Sequence, residues 1–253
     1  MKIDIIKCLS DNYSYSIFDE KTGTVGVIDP SEFKPIDNFI NQTYKKIDYI
    51  LITHHHFDHV GGNIDLKAKY KCKVVGNKAD ANRIPAIDIL LDDNSDFQLG
   101  KINFEIISLP GHTANHICYY SKEHKTIFTG DTLFSLGCGR VFEGTMEEMY
   151  NSLMKLKKLP SDTLMYCGHE YTQKNFEFCK TFDTENENLN KKAEFLKKLR
   201  TENLPSIPTS IGDEIKTNIF LRSDNEIIAK KLGFKKKDSF EVFKKLRDLK
   251  DNF

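Results

Sequence analysis

The chain has 253 residues, enough to bury a sizeable core in one large domain or in a main domain with a smaller appendage. Lys and Arg number 37, as do Asp and Glu, so zero net charge argues against nucleic acid or an anionic membrane as a partner. No stretch approaches the ~20 apolar residues of a membrane span, and the first twenty residues lack the apolar run of a secretory signal. We therefore expect a soluble, cytoplasmic protein that acts on a small molecule, as a monomer or weak homodimer.

Cysteine usage agrees with a reducing compartment. The six cysteines include no C-x-x-C pair, which argues against a disulfide framework or a Cys-rich zinc module. We expect all of them to be small buried hydrophobic residues. They are Cys8, Cys72, Cys118, Cys138, Cys167 and Cys179.

Short β-like runs alternate with helical segments up to about residue 170. Strands are predicted over 13–18, 25–28, 49–52, 73–75, 102–109, 116–120, 126–128 and 163–166. Helices are predicted over 35–44, 64–70 and 145–158, the last beginning at the capping box Thr145-x-x-Glu148. Beyond Glu170 the strand signals fade and Lys-rich helical segments follow. We predict an α/β catalytic domain over residues 1–170 and a small helical domain over 171–253.

A dense cluster of metal-binding side chains follows the predicted strand 49–52. His54, His56, Asp58 and His59 fall within six positions. A solvated loop gains nothing from such a cluster, because ordering the imidazoles costs conformational entropy and brings no burial. The alternation of His54 and His56 points both side chains the same way if strand geometry persists. The cluster therefore predicts a metal site.

Three further ligand-type residues each follow a glycine at the end of a predicted strand, where open α/β sheets place their sites. They are His112, Asp131 and His169. Seven ligands exceed the needs of one tetrahedral ion but suit two ions with three private ligands each and a shared carboxylate. The predicted assignment is His54, His56 and His112 on one ion, Asp58, His59 and His169 on the other, and Asp131 as the bridge. The remaining histidines, His55, His116 and His124, are not predicted to be ligands; His55 is expected to be structural, and His116 to be structural or to support a ligand.

A pair of ions ~3.5 to 4 Å apart would share a water molecule, lower its pKa and supply hydroxide at neutral pH. No Ser or Cys nucleophile is then needed. Asp58, with the other ligands of the hydroxide, forms the predicted catalytic site. We therefore expect two divalent ions. All seven ligands are N or O donors, which bind zinc, iron or manganese, and zinc is the expected metal.

These motifs resemble the metallo-β-lactamase superfamily. The similarity lies in Thr53-His-x-His-x-Asp-His, Gly111-His112, Gly130-Asp131 and Gly168-His169. Within the superfamily the chain is most similar to the glyoxalase II (hydroxyacylglutathione hydrolase) family, and the likeness covers nearly the whole chain. The segments that carry it are 11–13, 53–63, 111–113, 128–134, 137–144, 167–172, 218–222 and 247–250. The resemblance implies an αββα sandwich with a small C-terminal α-helical domain that binds substrate.

The resemblance also implies a reaction. Glyoxalase II hydrolyses the thioester S-D-lactoylglutathione to D-lactate and glutathione, a step of methylglyoxal detoxification. We therefore expect a binuclear metal-dependent thioesterase that attacks S-2-hydroxyacylglutathiones with a hydroxide bridging the metals. A thiolate leaves easily, since a thiol pKa is near ~8.5, and no strong general acid is needed.

Family residues that bind glutathione correspond to positions in the second half of the chain. They are Arg140, Phe142, Tyr171, Arg247 and Lys250. Arg140 and Phe142 stand where Lys and Tyr are usual, so a donor geometry changes and a hydroxyl contact is lost. Arg247 and Lys250 lie three apart on a predicted helix, so we expect them to project together toward the substrate carboxylates. The apolar face of this helix is predicted to be Val242, Leu246, Leu249 and Phe253.

Three other readings compete with this one. A glutathione-persulfide dioxygenase with a single iron would not need the second set of ligands, so metal count per chain separates it. A metal-dependent nuclease would need a basic surface for phosphate, which zero net charge disfavours. The third is a binding or structural protein that keeps the metals without turnover.

Overall fold

The computed structural model describes residues 1–202, 204–235 and 238–253, apart from the side chain of Arg200. It divides into two compact units. Unit 1 comprises Met1–Leu109 and Asn115–Gly130, and unit 2 comprises Pro110–Ala114 and Asp131–Phe253. Since this division does not fall at residue 170, the predicted pair of domains stays a prediction.

Unit 1 contains strands β1 to β10. The first six are β1 Lys2–Cys8, β2 Asn12–Asp19, β3 Thr24–Ile28, β4 Tyr49–Leu51, β5 Lys73–Asn77 and β6 Ile89–Leu91, which form a sheet in that order. The pairs β1–β2 and β2–β3 are antiparallel, whereas β3 to β6 run parallel. The other four are β7 Asp96–Leu99, β8 Ile102–Ser108, β9 Ile117–Ser121 and β10 Thr126–Gly130, antiparallel in the order β10-β9-β8-β7.

The two faces of the first sheet pack against different structures, because its side chains alternate in direction. Val25 and Val27 pack in one buried cluster with residues of helices α1 (Phe33–Gln42) and α3 (Asn63–Tyr70). Gly26 lies between the two valines, and its Cα faces Leu99 of the second sheet. Successive residues of a strand point to opposite faces, so one face meets helices and the other meets β-sheet.

The parallel part of this sheet brings two chain segments to one edge. Asp29 follows the last residue of β3, and Thr53 and His54 follow β4 by two and three residues. Ile28 pairs with Leu51 across the two parallel strands, so both strands end level with each other. The segments that leave them therefore start side by side, before the short helix α2 (Phe57–Val60).

Unit 2 is mostly helical after residue 170, as predicted. Its elements are β11 Leu133–Phe134, β12 Gly137–Cys138, α4 Met146–Lys157, β13 Leu164–Cys167, α5 Thr172–Phe182, α6 Glu187–Thr201, β14 Thr209–Ser210, α7 Ile211–Thr217, α8 Glu226–Lys231 and α9 Ser239–Asp251. Strands β11 and β12 form a hairpin, and β13 pairs antiparallel with β14. In the described part of the chain, no helix combines the length and apolar character needed to cross a membrane.

Helix α4 begins at the predicted capping box. The Thr145 hydroxyl accepts from the Glu148 N–H at 3.1 Å, and the Glu148 carboxylate accepts from the Thr145 N–H at 2.7 Å. This reciprocal pair satisfies two N–H groups that the first turn of a helix leaves unbonded. Tyr150 of α4 then packs on Phe243 of α9, with ring centroids 5.5 Å apart.

The β11–β12 hairpin is fixed by side chains around the end of α7. Asn218 donates its amide hydrogens to the carbonyl oxygens of Phe134 at 3.2 Å and Gly137 at 3.0 Å. Glu214, fully buried, accepts from the Leu136 N–H at 2.7 Å. Buried backbone groups that lack sheet partners need such substitutes. The hairpin therefore has a defined position although each strand has two residues.

All six cysteines are buried, as predicted, and no disulfide joins any of them. Burial raises the thiol pKa of Cys8 and Cys72 to about 11 and that of Cys167 and Cys179 to about 12. Desolvation has this effect because a thiolate is poorly stabilised away from water. These side chains serve as small hydrophobic residues.

Candidate metal centre

The predicted ligands of unit 1 converge on the turn after β4 and on α2. His54 Nε2 lies 3.2 Å from His56 Nδ1, and the rings of His54 and His59 are 4.1 Å apart. Asp58 Oδ2 lies 3.7 Å from His59 Nε2. His54 and His59 are buried, with 1% exposure each. Strand-end geometry followed by a single helical turn is therefore enough to gather the four side chains.

Asp29, which the sequence did not predict as a functional residue, contacts His59 and Thr53 through its carboxylate. Its Oδ2 lies 3.0 Å from His59 Nδ1 and accepts the Thr53 hydroxyl hydrogen at 2.6 Å, while its Oδ1 accepts the Thr53 N–H at 2.8 Å. A carboxylate can only accept, so His59 Nδ1 carries the proton. The lone pair of His59 is then on Nε2, the nitrogen on the side of Asp58.

The same carboxylate sets the tautomer of His54 through Thr53. The Thr53 hydroxyl has one hydrogen, which it donates to Asp29, so toward His54 Nδ1, 3.0 Å away, it acts as acceptor. His54 Nδ1 therefore carries a proton and Nε2 carries the lone pair. Two imidazoles thus present unprotonated Nε2 atoms, the form that binds a metal ion.

Other polar residues of unit 1 support or flank the cluster. Asn12 donates to Asp58 Oδ2 at 3.0 Å and to the Asp58 carbonyl oxygen at 3.1 Å, which fixes the direction of this carboxylate. His55 Nδ1 lies 3.2 Å from Oδ2 of the buried Asp80, away from this arrangement. His116 stacks on His54 at 4.9 Å between ring centroids. The structure thus gives His55 and His116 supporting contacts, in line with the roles expected for them.

The predicted ligands of unit 2 form a second group. Asp131 Oδ2 lies 3.6 Å from His112 Nε2 and 3.2 Å from His169 Nε2. His112 Nδ1 lies 2.8 Å from the carbonyl oxygen of Arg140, which can only accept, so the lone pair of His112 is also on Nε2. A Cβ atom at position 139 would collide with the Asp131 carbonyl oxygen, so only Gly139 lets the following loop pass this closely.

The donor atoms suit a divalent metal ion. In unit 1, His54 Nε2 lies 3.2 Å from His56 Nδ1 and Asp58 Oδ2 lies 3.7 Å from His59 Nε2, and in unit 2 one carboxylate oxygen faces two imidazoles. Unprotonated imidazole nitrogens and carboxylate oxygens are ligands that zinc, iron and manganese all accept. The His and Asp clusters of this chain can therefore bind metal ions.

Three residues predicted to bind glutathione surround the unit 2 ligands. Phe142 is exposed and its ring lies 5.3 Å from that of His112, while the Arg140 guanidinium lies over Phe142 at 5.6 Å. Tyr171 stacks on His169, with ring centroids 4.6 Å apart and planes 5° apart. An exposed cation and two aromatic rings therefore lie next to the predicted ligands of this unit.

Arg247 and Lys250 both lie on α9 but differ in burial, and their role in binding the substrate stays a prediction. Arg247 is buried, and its Nη1 donates to the Cys138 carbonyl oxygen at 2.7 Å. Lys250 is half-buried, 5.2 Å above the Phe178 ring and 4.8 Å above that of Phe253, and burial followed by the nearby Arg247 lowers its pKa. The predicted apolar face of this helix is wrong at Phe253, which is 63% exposed.

Comparison with known proteins agrees with this fold and site. The metallo-beta-lactamase superfamily profile matches residues 11–169. The structure of ETHE1 from Myxococcus xanthus superposes with a TM-score of 0.70 at 23% identity, covering 98% of this chain and 90% of that one. The chain belongs to the metallo-beta-lactamase superfamily.

Its place within the superfamily follows from the remaining residues. The profile described as hydroxyacylglutathione hydrolase C-terminus matches residues 170–253. Proteins named hydroxyacylglutathione hydrolase from Pelagibacter ubique and Mesorhizobium japonicum are 50% and 44% identical to it, over 100% of this chain and 100% and 99% of theirs. The chain belongs to the hydroxyacylglutathione hydrolase family. The predicted fold class, family and assignment as a metal-binding hydrolase are confirmed, whereas the roles of individual residues stay predictions.

Proposed function

We propose that the protein hydrolyses S-D-lactoylglutathione, and related S-2-hydroxyacylglutathiones, to the 2-hydroxy acid and glutathione. The observation that carries this proposal is the 50% identity to a hydroxyacylglutathione hydrolase over the full length of both chains. The similarity includes residues 170–253, which a shared metal-binding domain alone would not require.

The seven predicted ligands would hold two divalent metal ions, with Asp131 as the shared carboxylate. When bound, the ions would act as Lewis acids toward the thioester carbonyl and lower the pKa of the attacking water. Asp29, Thr53 and the Arg140 carbonyl group would keep three imidazoles in the tautomer that binds metal. Asn12 would hold Asp58, the predicted catalytic carboxylate, in a fixed direction.

The glutathione part of the substrate asks for cationic and aromatic partners. Arg140 is exposed and can donate to a carboxylate through two parallel N–H groups. Lys250 would bind a carboxylate as a point charge, and Phe142 and Tyr171 would pack against the peptide. Arg247, three residues before Lys250 on α9, is the other proposed partner of a substrate carboxylate, and its Nη1 donates to the Cys138 carbonyl oxygen.

Hydrolysis of S-D-lactoylglutathione by the purified protein, with elemental analysis of the same sample, tests the proposal. We expect release of free thiol and close to two metal ions per chain. Active hydrolase with one ion would remove the two-metal mechanism. Oxygen uptake with glutathione persulfide, one iron per chain and no thioesterase activity would instead support the single-iron dioxygenase.

Lys250→Ala should raise KM for S-D-lactoylglutathione about threefold to tenfold and change kcat little. The contact lies far from the reacting carbon, so it stabilises ground state and transition state alike. The size of this increase in KM corresponds to the loss of one charge-assisted contact that solvent partly screens. Steady-state kinetics measure it, and because the pKa of Lys250 is lowered, wild-type KM should rise at a lower pH than for an ordinary lysine.

Lys245→Ala provides the matched control, since Lys245 is an exposed lysine of the same helix. Neither substitution should change KM for a small neutral thioester, because this substrate has no carboxylate to bind. An equal loss on both substrates would mean that Lys250 supports the fold rather than the ligand.

Three further properties are part of the proposal. Zinc is the expected metal, with iron or manganese as alternatives that the N and O donors also accept. A cytoplasmic location and a monomeric or weakly dimeric state are proposed from the sequence alone.

A further inference from the structure

Asp80 is a fully buried carboxylate in the 3-10 turn Lys78–Asp80, which directly follows β5. Its Oδ1 accepts from Nε of Arg83 at 3.1 Å, from Nη2 of Arg83 at 2.5 Å and from the Asn115 side-chain amide at 2.6 Å. Its Oδ2 lies 3.2 Å from His55 Nδ1. A carboxylate is tolerated in the interior when charged and polar donors replace water, so these contacts fix the direction of Asp80 and of its partners.

His55 is the residue between two predicted ligands, His54 and His56. A carboxylate can only accept, so His55 Nδ1 carries a proton and donates it to Asp80. The His55 side chain is 14% exposed, and its ring lies 5.1 Å from that of His56. The two peptide bonds of His55 lead directly to the ligands on either side. Anchoring the His55 side chain therefore restrains the backbone that aims both ligands.

A second connection runs through Asn115. Its side-chain amide donates to Asp80. The next residue, His116, stacks on His54 with ring centroids 4.9 Å apart and planes 26° apart. The Asn115 carbonyl oxygen accepts from the Asn77 amide at 2.9 Å, which ties the same segment to the end of β5. Within unit 1, Asp80 thus joins the turn that carries the ligands to the segment that packs on one of them.

We propose that Asp80 is a positioning residue of the metal site. Through His55 and Asn115, it holds the direction in which the two neighbouring ligands point. Its effect differs from that of Asp29, which fixes ring protons, because Asp80 restrains the backbone turn and the ring packing. The inference rests on the proposed function, since the direction of these imidazoles matters for catalysis only if they bind metal.

Asp80→Leu keeps the approximate size of the side chain and removes both acceptor oxygens, so both connections are lost. Arg83, whose side chain is 38% exposed, can then turn to water. We expect the affinity for zinc to fall about tenfold, the lower end of the loss found for residues that support a metal ligand. His55→Leu breaks the first connection and Asn115→Ala breaks the second, so each should cost part of this loss.

The ring protons give a second, independent signature. In Asp80→Leu, the Nδ1 atoms of His54 and His59 should stay protonated. Their partners, the Thr53 hydroxyl and the Asp29 carboxylate, are untouched by this substitution. Nitrogen-15 NMR of the zinc-loaded protein measures these protons. Loss of either Nδ1–H signal would show that Asp80 acts on the tautomers, which contradicts the proposal.

Asp19→Leu is the matched control for the loss of a buried carboxylate. Asp19 is buried in the same unit, and it accepts from the Thr22 hydroxyl at 2.6 Å and from the Lys101 N–H at 2.8 Å. We expect this variant to have a lower melting temperature and wild-type affinity for zinc. Chelator competition on the full-length proteins, at a temperature where all are folded, measures zinc affinity, and circular dichroism measures melting.

A double substitution tests whether the first connection runs from Asp80 through His55. If it does, Asp80→Leu combined with His55→Leu should bind zinc as weakly as Asp80→Leu alone, because one and the same bond is removed by either change. A double variant in which the two losses multiply would show that the residues act separately, and the proposal would be wrong.

The remaining outcomes are also decisive. Wild-type zinc affinity in Asp80→Leu, with melting lowered as in Asp19→Leu, would leave Asp80 a structural role only. Should Asp80→Leu not fold, zinc affinity of His55→Leu decides, since a wild-type value contradicts the proposal and a weaker one supports it. A wild type that binds no zinc would refute the proposed function, and the inference with it. Normal zinc binding without hydrolysis of S-D-lactoylglutathione would refute the proposed substrate alone.

Discussion

Asp131→Ala should abolish hydrolysis of S-D-lactoylglutathione and release metal from the protein. Asp131 Oδ2 faces His112 Nε2 and His169 Nε2, and the residue is proposed to serve both ions. Losing a shared ligand removes a bond to each ion and the constraint on their spacing. We expect kcat/KM to fall about 10³-fold or more, which is ~4 kcal/mol of transition-state stabilisation. Steady-state kinetics and elemental analysis of the same sample measure both effects.

Two comparisons make this result specific to a bridge. His112→Ala removes a ligand proposed for one ion, so it should lose less metal per chain than Asp131→Ala. His124→Ala changes a histidine with no proposed role and should behave as wild type. Retention of both ions and most of the turnover in Asp131→Ala would show that Asp131 is not the bridge.

Asp29→Asn should weaken metal binding about tenfold to a hundredfold without removing any proposed ligand. The amide is nearly isosteric but carries one acceptor oxygen, and its NH₂ group cannot accept the His59 Nδ1 hydrogen or that of the Thr53 hydroxyl. With the NH₂ group at the Oδ2 position, both imidazoles lose the partner that sets their tautomer; with it at the Oδ1 position, it faces the Thr53 N–H, and two donors then repel each other beside His54. Chelator competition gives the metal affinity, and turnover at limiting metal should fall with it.

Thr53 offers the matched pair of controls for this effect. Thr53→Ser keeps the hydroxyl that links Asp29 to His54 and should bind metal as the wild type does. Thr53→Val removes the hydroxyl with little change in shape, and it should weaken metal binding through His54 alone. Wild-type metal affinity in Asp29→Asn, at an unchanged melting temperature, would assign Asp29 no part in supporting the ligands.

The candidate ligands were predictable because their pattern is local. Four of them fall between His54 and His59, directly after a strong strand signal, and the others each follow a glycine. Asp29 gave no such signal. An acidic residue before Pro30 at the end of a strand is typical of a turn. Its contact with Thr53 depends on the parallel pairing of β3 with β4, which alternation within one segment does not predict.

The burial of Arg247 could not be predicted from the sequence for a different reason. On a helical wheel an arginine beside an apolar face is expected to extend toward water. The Cys138 carbonyl oxygen that holds it is 109 residues away in the chain. Only tertiary structure brings a backbone acceptor to the buried side of α9.

The strands found and missed differ in length and face pattern. Eight predicted strands coincide closely with β2 to β5, β8 to β10 and β13. The missed β6, β7, β11, β12 and β14 have two to four residues, too few for alternation to identify them. Strand β4 has only three, but it was predicted because Ile50, Leu51 and Ile52 form a continuous apolar run. Strand β1 has seven, but Lys2, Asp4 and Lys7 interrupt its apolar residues, and it is recognised by its pairing with β2.

The buried thiols of this chain bear on its chemical durability. The proposed reaction releases glutathione. A protein thiolate can attack the disulfide bond of oxidised glutathione, which gives a mixed disulfide and releases one glutathione thiolate. Cys167 and Cys179, with thiol pKa about 12, and Cys8 and Cys72, with thiol pKa about 11, hold almost no thiolate at neutral pH and are shielded from solvent. Protein S-glutathionylation at these sites is therefore disfavoured twice, by protonation and by access. We therefore expect these four thiols to stay unmodified when the protein is exposed to oxidised glutathione.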